Sequence, residues 1–359
     1  MTARKFNFNP GPAVLPLEVL QQASKDIINF RGCGMGIMEI SHRGPQFKQM
    51  YQELISRARK IMNLGDDFHI LFLGGGASSQ FYMIPMNLLN QERTADYVNT
   101  GTWSKKAIKE AKLFGNVHVA GSSADSNFNH IPDTIQYSEK PAYVHITSNN
   151  TIFGTQWQQF PVVTHAPLIC DMSSDFLSRR FDANAFDMIY AGAQKNIGPA
   201  GVTFILLKQG LLEKMNQGLP TMLTYQTHVN KDSSFNTPPV YGMYIINEVF
   251  KWILDTGGLT EIEAVNDRKA GMIYDIMDQH ADFYRGAARK DSRSKMNITL
   301  RLPSETLEKA FLEQAEGKGF FGLKGHRSVG GIRVSMYNAC PKEAVARLAD
   351  FMLEFKKQQ

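Results

Sequence analysis

Cysteine is scarce in this chain. Cys33, Cys170 and Cys340 are odd in number and widely spaced, and they form neither a CxxC pair nor a metal-ligand cluster. That excludes a disulfide framework and a structural metal site, and it suits a reducing compartment. An excess of one charge is lacking too: 39 Lys and Arg against 34 Asp and Glu leave only +5 over 359 residues. No basic run interleaves with aromatics as a nucleic-acid track requires, whereas a slight positive balance suits small acidic substrates. Long apolar runs are missing as well. The opening MTARKFNFNPGPAVLP has no apolar core of signal-peptide length, and no segment has membrane-spanning length, so the expected location is cytoplasmic. Neither a fixed-period repeat nor a low-complexity tract interrupts the chain. What is present is an ordinary globular composition, 43% hydrophobic and 20% charged, long enough for a large core and two domains.

The chain is organised around DMIYAGAQKNIGPAGV, Asp187 to Val202. Ile189, Tyr190 and Ala191 form a short apolar strand. Gly198, Pro199 and Gly201 then force a turn before a second strand, Val202 to Leu207, and Lys195 sits on the loop between them. A second apolar run, Pro167 to Cys170, ends in Asp171, followed by Met172, Ser173 and Ser174. For an arbitrary pair, a solvated lysine and a helix-capping aspartate are the commoner explanation. In an open α/β sheet, however, ligands bind outside the carboxyl ends of the strands, where residues from separate strands converge. An amine that can form a Schiff base and a carboxylate that can keep a ring nitrogen protonated are the two needs of pyridoxal phosphate.

A phosphate site is also in view. The strand His69 to Leu73 runs into Gly74, Gly75, Gly76, Ala77, Ser78, Ser79 and Gln80, and an apolar helical pattern begins at Phe81. Unpaired N–H groups and the helix dipole favour an anion at such a start, and the lysine and spacing of a P-loop are absent. Two more strands, Ala95 to Val98 and Ala142 to Ile146, end near Trp103 and in the hydroxyl and amide cluster Thr147 to Thr151. Trp103 offers a face for ring stacking, although a tryptophan there is more often core. Strands alternating with helical patterns imply a mostly parallel sheet buried on both faces.

Leu17, Leu20, Ser24, Ile27 and Ile28 predict an approximate helical face that Gly32 ends, and the stretch from Gly121 to Lys140 reads as polar and irregular. The glycines Gly32, Gly34 and Gly36 do not follow a strand, so they are no dinucleotide fingerprint. Beyond them stand His42 and Arg43, and a second pair, His326 and Arg327, precedes Arg333 on a predicted strand. Such groups match carboxylate and phosphate; ordinary surface charge explains them equally well in isolation. The expected division is a large domain over 16–257 and a smaller α/β domain over 258–359, with an arm over 1–15 packing on the latter.

NPGPAVLP, MEISHRG, ADYVNTGTWS, the Asp171 strand, IYAGAQKNIGPAG, FNTPP and LKGHRSVGGIRVSMYNA together closely resemble the phosphoserine aminotransferase family, class V aminotransferases of the aspartate-aminotransferase-like fold type I. The resemblance spans nearly the whole chain. It implies that Lys195 is the Schiff-base lysine, that Asp171 partners the pyridine nitrogen, that Trp103 stacks on the ring and that Thr151 lies near the ring hydroxyl. Ala77, Ser78, Ser173 and Gln194 complete the cofactor site, with Asn236 and Thr237 from the neighbouring subunit of a homodimer. His42 and Arg43 of one subunit, with His326 and Arg327 of the other, form the implied substrate-anion site, and Arg333 holds the α-carboxylate. The implied reaction is a ping-pong transfer between L-glutamate and 3-phosphohydroxypyruvate, with the phosphorylated precursor of pyridoxine as a further acceptor. Where members of the family carry GGGxGQF, this chain has Ala77, Ser78 and Ser79 before Gln80, and the backbone donors are kept. Other fold type I enzymes, an alanine–glyoxylate aminotransferase or a cysteine desulfurase using Cys33, are the alternatives, and a non-enzymatic anion binder ranks last.

Overall fold

The computed structural model describes residues 4–359. Strand β1 (Phe6–Asn7) leads into helices α1 (Leu17–Asp26) and α2 (Pro45–Met62), then β2 (Phe68–Gly74), α3 (Gln80–Leu88), β3 (Thr94–Asn99), α4 (Thr102–Ala111) and β4 (Asn116–Ser122). Strand β5 (Val144–Thr147) is followed by a small hairpin, β6 (Asn149–Asn150) with β7 (Thr155–Gln156). Strands β8 (Leu168–Asp171), β9 (Met188–Gly192) and β10 (Val202–Lys208) come next, and then α5 (Gln209–Leu212), α6 (Tyr225–Val229), α7 (Val240–Asp255) and α8 (Gly258–Gln279). The chain closes with β11 (Arg285–Gly286), β12 (Asn297–Arg301), α9 (Glu305–Gly317), β13 (Phe320–Phe321), β14 (Ile332–Ser335) and α10 (Lys342–Lys357).

Seven strands form the central sheet in the order β2-β10-β9-β8-β5-β3-β4. Strand β10 runs antiparallel to both its neighbours, and the other pairings are parallel. Alternate residues of each strand enter opposite layers, as a pleat of period two dictates. Ile70, Phe72, Phe204 and Leu206 join the core beneath α2 and α7, while Leu71, Leu73, Ile205 and Leu207 join the core beneath α3 and α4. Both faces are therefore dry, which is why the strands read as continuous apolar runs. A third core joins Phe8 to residues of α8, β12, β14 and α10, and β1 pairs with β13.

Two expectations need correction. Helix α1 ends at Asp26, and Phe30–Gly32 forms a separate short turn with Arg31 at φ 51°. Its buried residues are Val19, Ala23 and Asp26, whereas Leu17, Leu20 and Ile27 are exposed and Ile28 is 77% exposed. Asp26 turns inward because the Tyr244 hydroxyl donates to it at 2.6 Å and the Gln22 amide at 2.9 Å. The second correction is β4, whose last residues Gly121 and Ser122 fall in the stretch read as irregular. It is an edge strand covered on one side only, so its sequence lacks the apolar run of its neighbours.

Candidate active site

The reversal of β10 creates the site. Strand β9 ends at the same edge where β10 begins, so the chain must double back within Ala193–Gly201. The turn is tied by Ala193 N–H to Val202 O at 2.9 Å and by Gly198 N–H to Ala193 O at 2.8 Å. Gly201 has φ +100°, and a Cβ on Gly198 would lie 2.6 Å from Ile246 Cγ1. Lys195 is thereby held at the carboxyl edge of the sheet, beside the ends of β5 and β8.

Its surroundings form a cavity of about 310 Å³, a small-molecule size. Ala77, Ser78, Trp103, Thr151, Asp171, Ser173, Gln194, Lys195, His326 and Arg333 all line it. The Lys195 ammonium donates to Thr151 Oγ1 at 3.3 Å and stands 5.7 Å from the centre of the Trp103 ring. Desolvation lowers its pKa to about 8, against the pull of Asp171 and Asp175, and Arg333 lowers it further. Asp171 is buried at the end of β8, and its Oδ1 accepts from Ser173 N–H at 2.9 Å. Burial pushes this carboxyl up, while Ser173 and Lys195 hold the rise in check. Ser173 Oγ in turn accepts from Gly192 N–H at 3.1 Å, linking the ends of β8 and β9. Arg333, on β14, reaches over from the third core and donates to Thr151 O at 3.5 Å. Thr151 thus touches both the lysine and the arginine.

Pyridoxal phosphate is a group this donor set fits. Trp103 Nε1, Thr147 Oγ1, Gln194 Oε1 and Arg333 Nε are buried, line the cavity and have no hydrogen-bond partner among the described residues. A cavity wall with four orphaned polar atoms is prepared for a polar occupant. The Ala77–Ser79 turn opens α3 towards the same space, and N–H groups at such a start lack i−4 partners.

Other expected residues lie elsewhere. His42 and Arg43 line a separate cleft of about 1000 Å³ with Phe47, Tyr51 and Arg59. Asn236 and Thr237 are exposed beside Leu73 and Tyr82 in a third. Arg327 is exposed on the loop before β14 and does not line the lysine's cavity, although its neighbour His326 does. None of the three cysteines lines that cavity: Cys170 and Cys340 are buried and Cys33 is exposed.

The sequence reading also missed residues. Pro10 and Gly11 line the cavity, with Ala13 N–H bonded to Gln194 O at 2.8 Å. Gly11 passes so close that a Cβ there would lie 3.4 Å from Lys195 Cγ. Asp175, four residues beyond Asp171, is a second buried carboxylate, bonded by the Ser148 hydroxyl and by Gln156 Nε2 at 2.9 Å. The glycine and prolines of NPGP signal a broken segment but not where it lies, and a lone Asp four residues past another carries no sign of burial.

Sheet, lysine loop and facing carboxylate define a transaminase-type site, and the comparisons agree. The chain belongs to the aminotransferase class-V family, whose model matches residues 5–348. It is 53% identical over 359 residues to a phosphoserine aminotransferase of Desulfosudis oleivorans, covering 99% of both chains. The solved phosphoserine aminotransferase from Bacillus circulans subsp. alkalophilus is 51% identical, with a TM-score of 0.97 and 99% of each chain covered. A phosphoserine aminotransferase of Trichomonas vaginalis, solved with PLP bound, is 37% identical with a TM-score of 0.93, covering 98% of this chain and all of that one.

Proposed function

We propose that this class-V aminotransferase is a phosphoserine aminotransferase, moving the amino group between L-glutamate and 3-phosphohydroxypyruvate to give O-phospho-L-serine and 2-oxoglutarate, a step of L-serine biosynthesis. The observation that carries the reading is one cavity in which a lysine of lowered pKa, a buried carboxylate, an aromatic face, a helix start and an arginine meet. Bound pyridoxal phosphate supplies an aldehyde that condenses with amines and a ring that accepts the electron pair released at the α-carbon.

The chain's own groups do the rest. Asp171 keeps a proton on the ring nitrogen; Trp103 packs on the ring face, and Thr151 reaches its hydroxyl edge. Ala77, Ser78, Ser173 and Gln194 secure the remainder, the first two through backbone N–H groups. Lys195 Nζ, whose pKa desolvation lowers, would take the α-proton of glutamate and hold it for return to the reacting carbon on the cofactor. Arg333 grips the α-carboxylate with its planar fork. His326 on the cavity wall, with Arg327 on the exposed loop beside it and His42 and Arg43 of a second copy, would meet the far end of the substrate, a carboxylate in glutamate and a phosphate in the acceptor. The acceptor 3-hydroxy-2-oxo-4-phosphooxybutanoate has the same two ends and belongs to the same reading, and so does a cytoplasmic setting.

The proposal includes a homodimer. His42, Arg43, Asn236 and Thr237 lie outside the lysine's cavity in their own chain, and the exposed apolar residues Leu17, Leu20, Ile28, Met35 and Met38 are the kind a second copy covers. The division at residue 258, with the arm on the smaller unit, is likewise proposed. The core that Phe8 shares with α8, β12 and α10 supports it.

An absorbance spectrum tests the reading. With pyridoxal phosphate added, a visible band that glutamate bleaches and 3-phosphohydroxypyruvate restores is expected, and Lys195→Ala should lack the lysine-linked band. No band at all overturns the cofactor, and a band that glutamate leaves unchanged overturns the substrate.

A further inference from the structure

Helix α8 buries a lysine completely: Lys269 is 0% exposed. Its ammonium points at four backbone carbonyls, Tyr337 O at 2.8 Å, Met336 O and Cys340 O each at 3.2 Å, and Asn338 O at 3.4 Å. Among the described residues no carboxylate stands opposite it, and the titratable group beside it, the Cys340 thiol, is pushed up to about 11 by burial and so stays neutral. An ammonium has three protons, so three donors are shared among four acceptors. Burying an unpaired cation is costly, and a plain apolar residue would pack there without that cost. The geometry instead matches an oxygen cage for a monovalent cation, with the cation attached to the chain.

The caged turn, 336–340, has consequences at the lysine that carries the chemistry. It directly follows β14, which bears Arg333. Asn338 N–H donates to Asn196 Oδ1 at 2.9 Å, and Asn196 is the residue after Lys195. Asn338 Nδ2 holds Leu177 O at 2.9 Å. The Tyr337 hydroxyl donates to Pro10 O at 2.8 Å, fixing the segment that passes over Lys195. Asn266, one turn before Lys269 on α8, braces the same unit by donating to Asn338 Oδ1 at 2.9 Å and Ser178 O at 2.8 Å. All of these groups except Pro10 and Lys195 are buried.

We propose that Lys269 is a positioning residue whose ammonium acts as a tethered monovalent cation: it closes the carbonyl cage of residues 336–340 and, through Asn338 and Tyr337, sets the Lys195 loop and Arg333 in place. The cage itself then takes ammonium or potassium once the side chain is removed. The effect on turnover rests on the transaminase reading, whereas cation binding by the emptied cage does not.

Lys269→Ala and Lys269→Met, as full-length protein, separate these points. Without cofactor, Lys269→Ala should melt below wild type, and ammonium or potassium chloride should raise its Tm, while tetramethylammonium chloride at equal ionic strength, too large to enter, should not. Wild type should respond to none of them specifically. Lys269→Met fills the cage with an uncharged chain of similar volume, so it should show no such rescue. With cofactor, its KM for glutamate should rise on the order of tenfold, with a smaller change in kcat, because a carboxylate anchor has moved rather than the base been lost. Should Lys269→Ala not fold in low salt, its refolding yield in ammonium against tetramethylammonium gives the same reading. Equal responses of Lys269→Ala to the small and large cations overturn the cage. Wild-type Tm, KM and kcat in Lys269→Met overturn the positioning role.

Discussion

At the scale of single residues, the site is built from groups whose burial works against their charge. Lys195 has its pKa lowered from 10.5 to about 8 by desolvation. Between those values the folded chain therefore binds fewer protons than the unfolded chain, so stability must rise with pH through that window. Below about pH 8 the penalty of burying the ammonium is complete. The cofactor-free protein should accordingly show a higher urea midpoint at about pH 9.5, inside the window, than at about pH 7.5, below it, and Lys195→Met should reduce that gain. An unchanged gain in the variant would show that Lys195 does not titrate in this range. Asp171 has the opposite sign. Burial raises its pKa above 3.8, so its ionisation costs stability as pH rises through the raised value. A cationic ring nitrogen returns that cost when bound. Asp171→Asn should then leave the cofactor-free chain at least as stable as wild type at neutral pH and lower turnover on the order of 10²–10³-fold. A less stable, fully active variant would contradict the assigned role. Both residues were legible in the sequence because Asp171 ends an apolar strand and Lys195 lies on the tight loop that follows another. Asp175 and Lys269 were not, since burial of a charge is decided by contacts from distant segments.

Elements place these groups, and the loop before β14 shows how tightly. Gly325 N–H bonds Gly331 O at 2.9 Å, and Val329 and Gly330 N–H groups both bond His326 O, at 2.9 and 2.8 Å. Arg301 Nη1 ties Val329 O at 3.1 Å. Gly331 has φ +70°, and a Cβ there would stand 2.5 Å from Leu300 O on the neighbouring strand. Gly331→Ala should therefore destabilise the chain by about 1–3 kcal/mol and raise KM for 3-phosphohydroxypyruvate several-fold, because His326 moves with the loop. Gly317 is the control: nothing lies within 4 Å of its Cβ position and it ends helix α9, so Gly317→Ala should be neutral or stabilising by about 0.5–1 kcal/mol. Equal Tm values for the two variants would refute the strain at Gly331. The sequence announced this loop through its glycines and announced the central strands through their apolar runs. It misled at α1, where Leu17, Leu20 and Ile28 carry the apolar spacing yet face outward. Periodicity records which residues avoid water, not whether their own chain or another copy covers them. Strand β4 was missed for the converse reason, an edge position that leaves Val119 exposed.

The whole molecule has the His-Arg groups proposed for the substrate's anionic ends in two places. His326 and Arg333 line the cavity of Lys195, whereas His42 and Arg43 line a different cleft of the same chain. If each site is completed by a second copy, His42 and Arg43 serve the partner's lysine, and damage to the two halves can be carried by different subunits. Arg43→Ala and Lys195→Ala should each be nearly inactive as pure proteins. Mixed, unfolded and refolded together in equal amounts, they should regain about a quarter of wild-type activity, since half of randomly paired dimers are mixed and each mixed dimer has one intact site of two. Arg43 is exposed and forms no hydrogen bond through its side chain among the described contacts, so its loss should leave the fold intact and the Tm of Arg43→Ala close to wild type. Ile28→Glu adds a second reading of the same arrangement. Its side chain is exposed in the single chain, so the monomer tolerates the charge, but a charge among the exposed apolar residues Leu17, Leu20 and Ile28 would disfavour their being covered by a second copy. Sedimentation should show a monomer, and turnover should fall with it. Recovery of activity on mixing, together with its loss when the flank is charged, would require composite sites; activity in a monomeric Ile28→Glu protein would leave His42 and Arg43 without a part in the reaction.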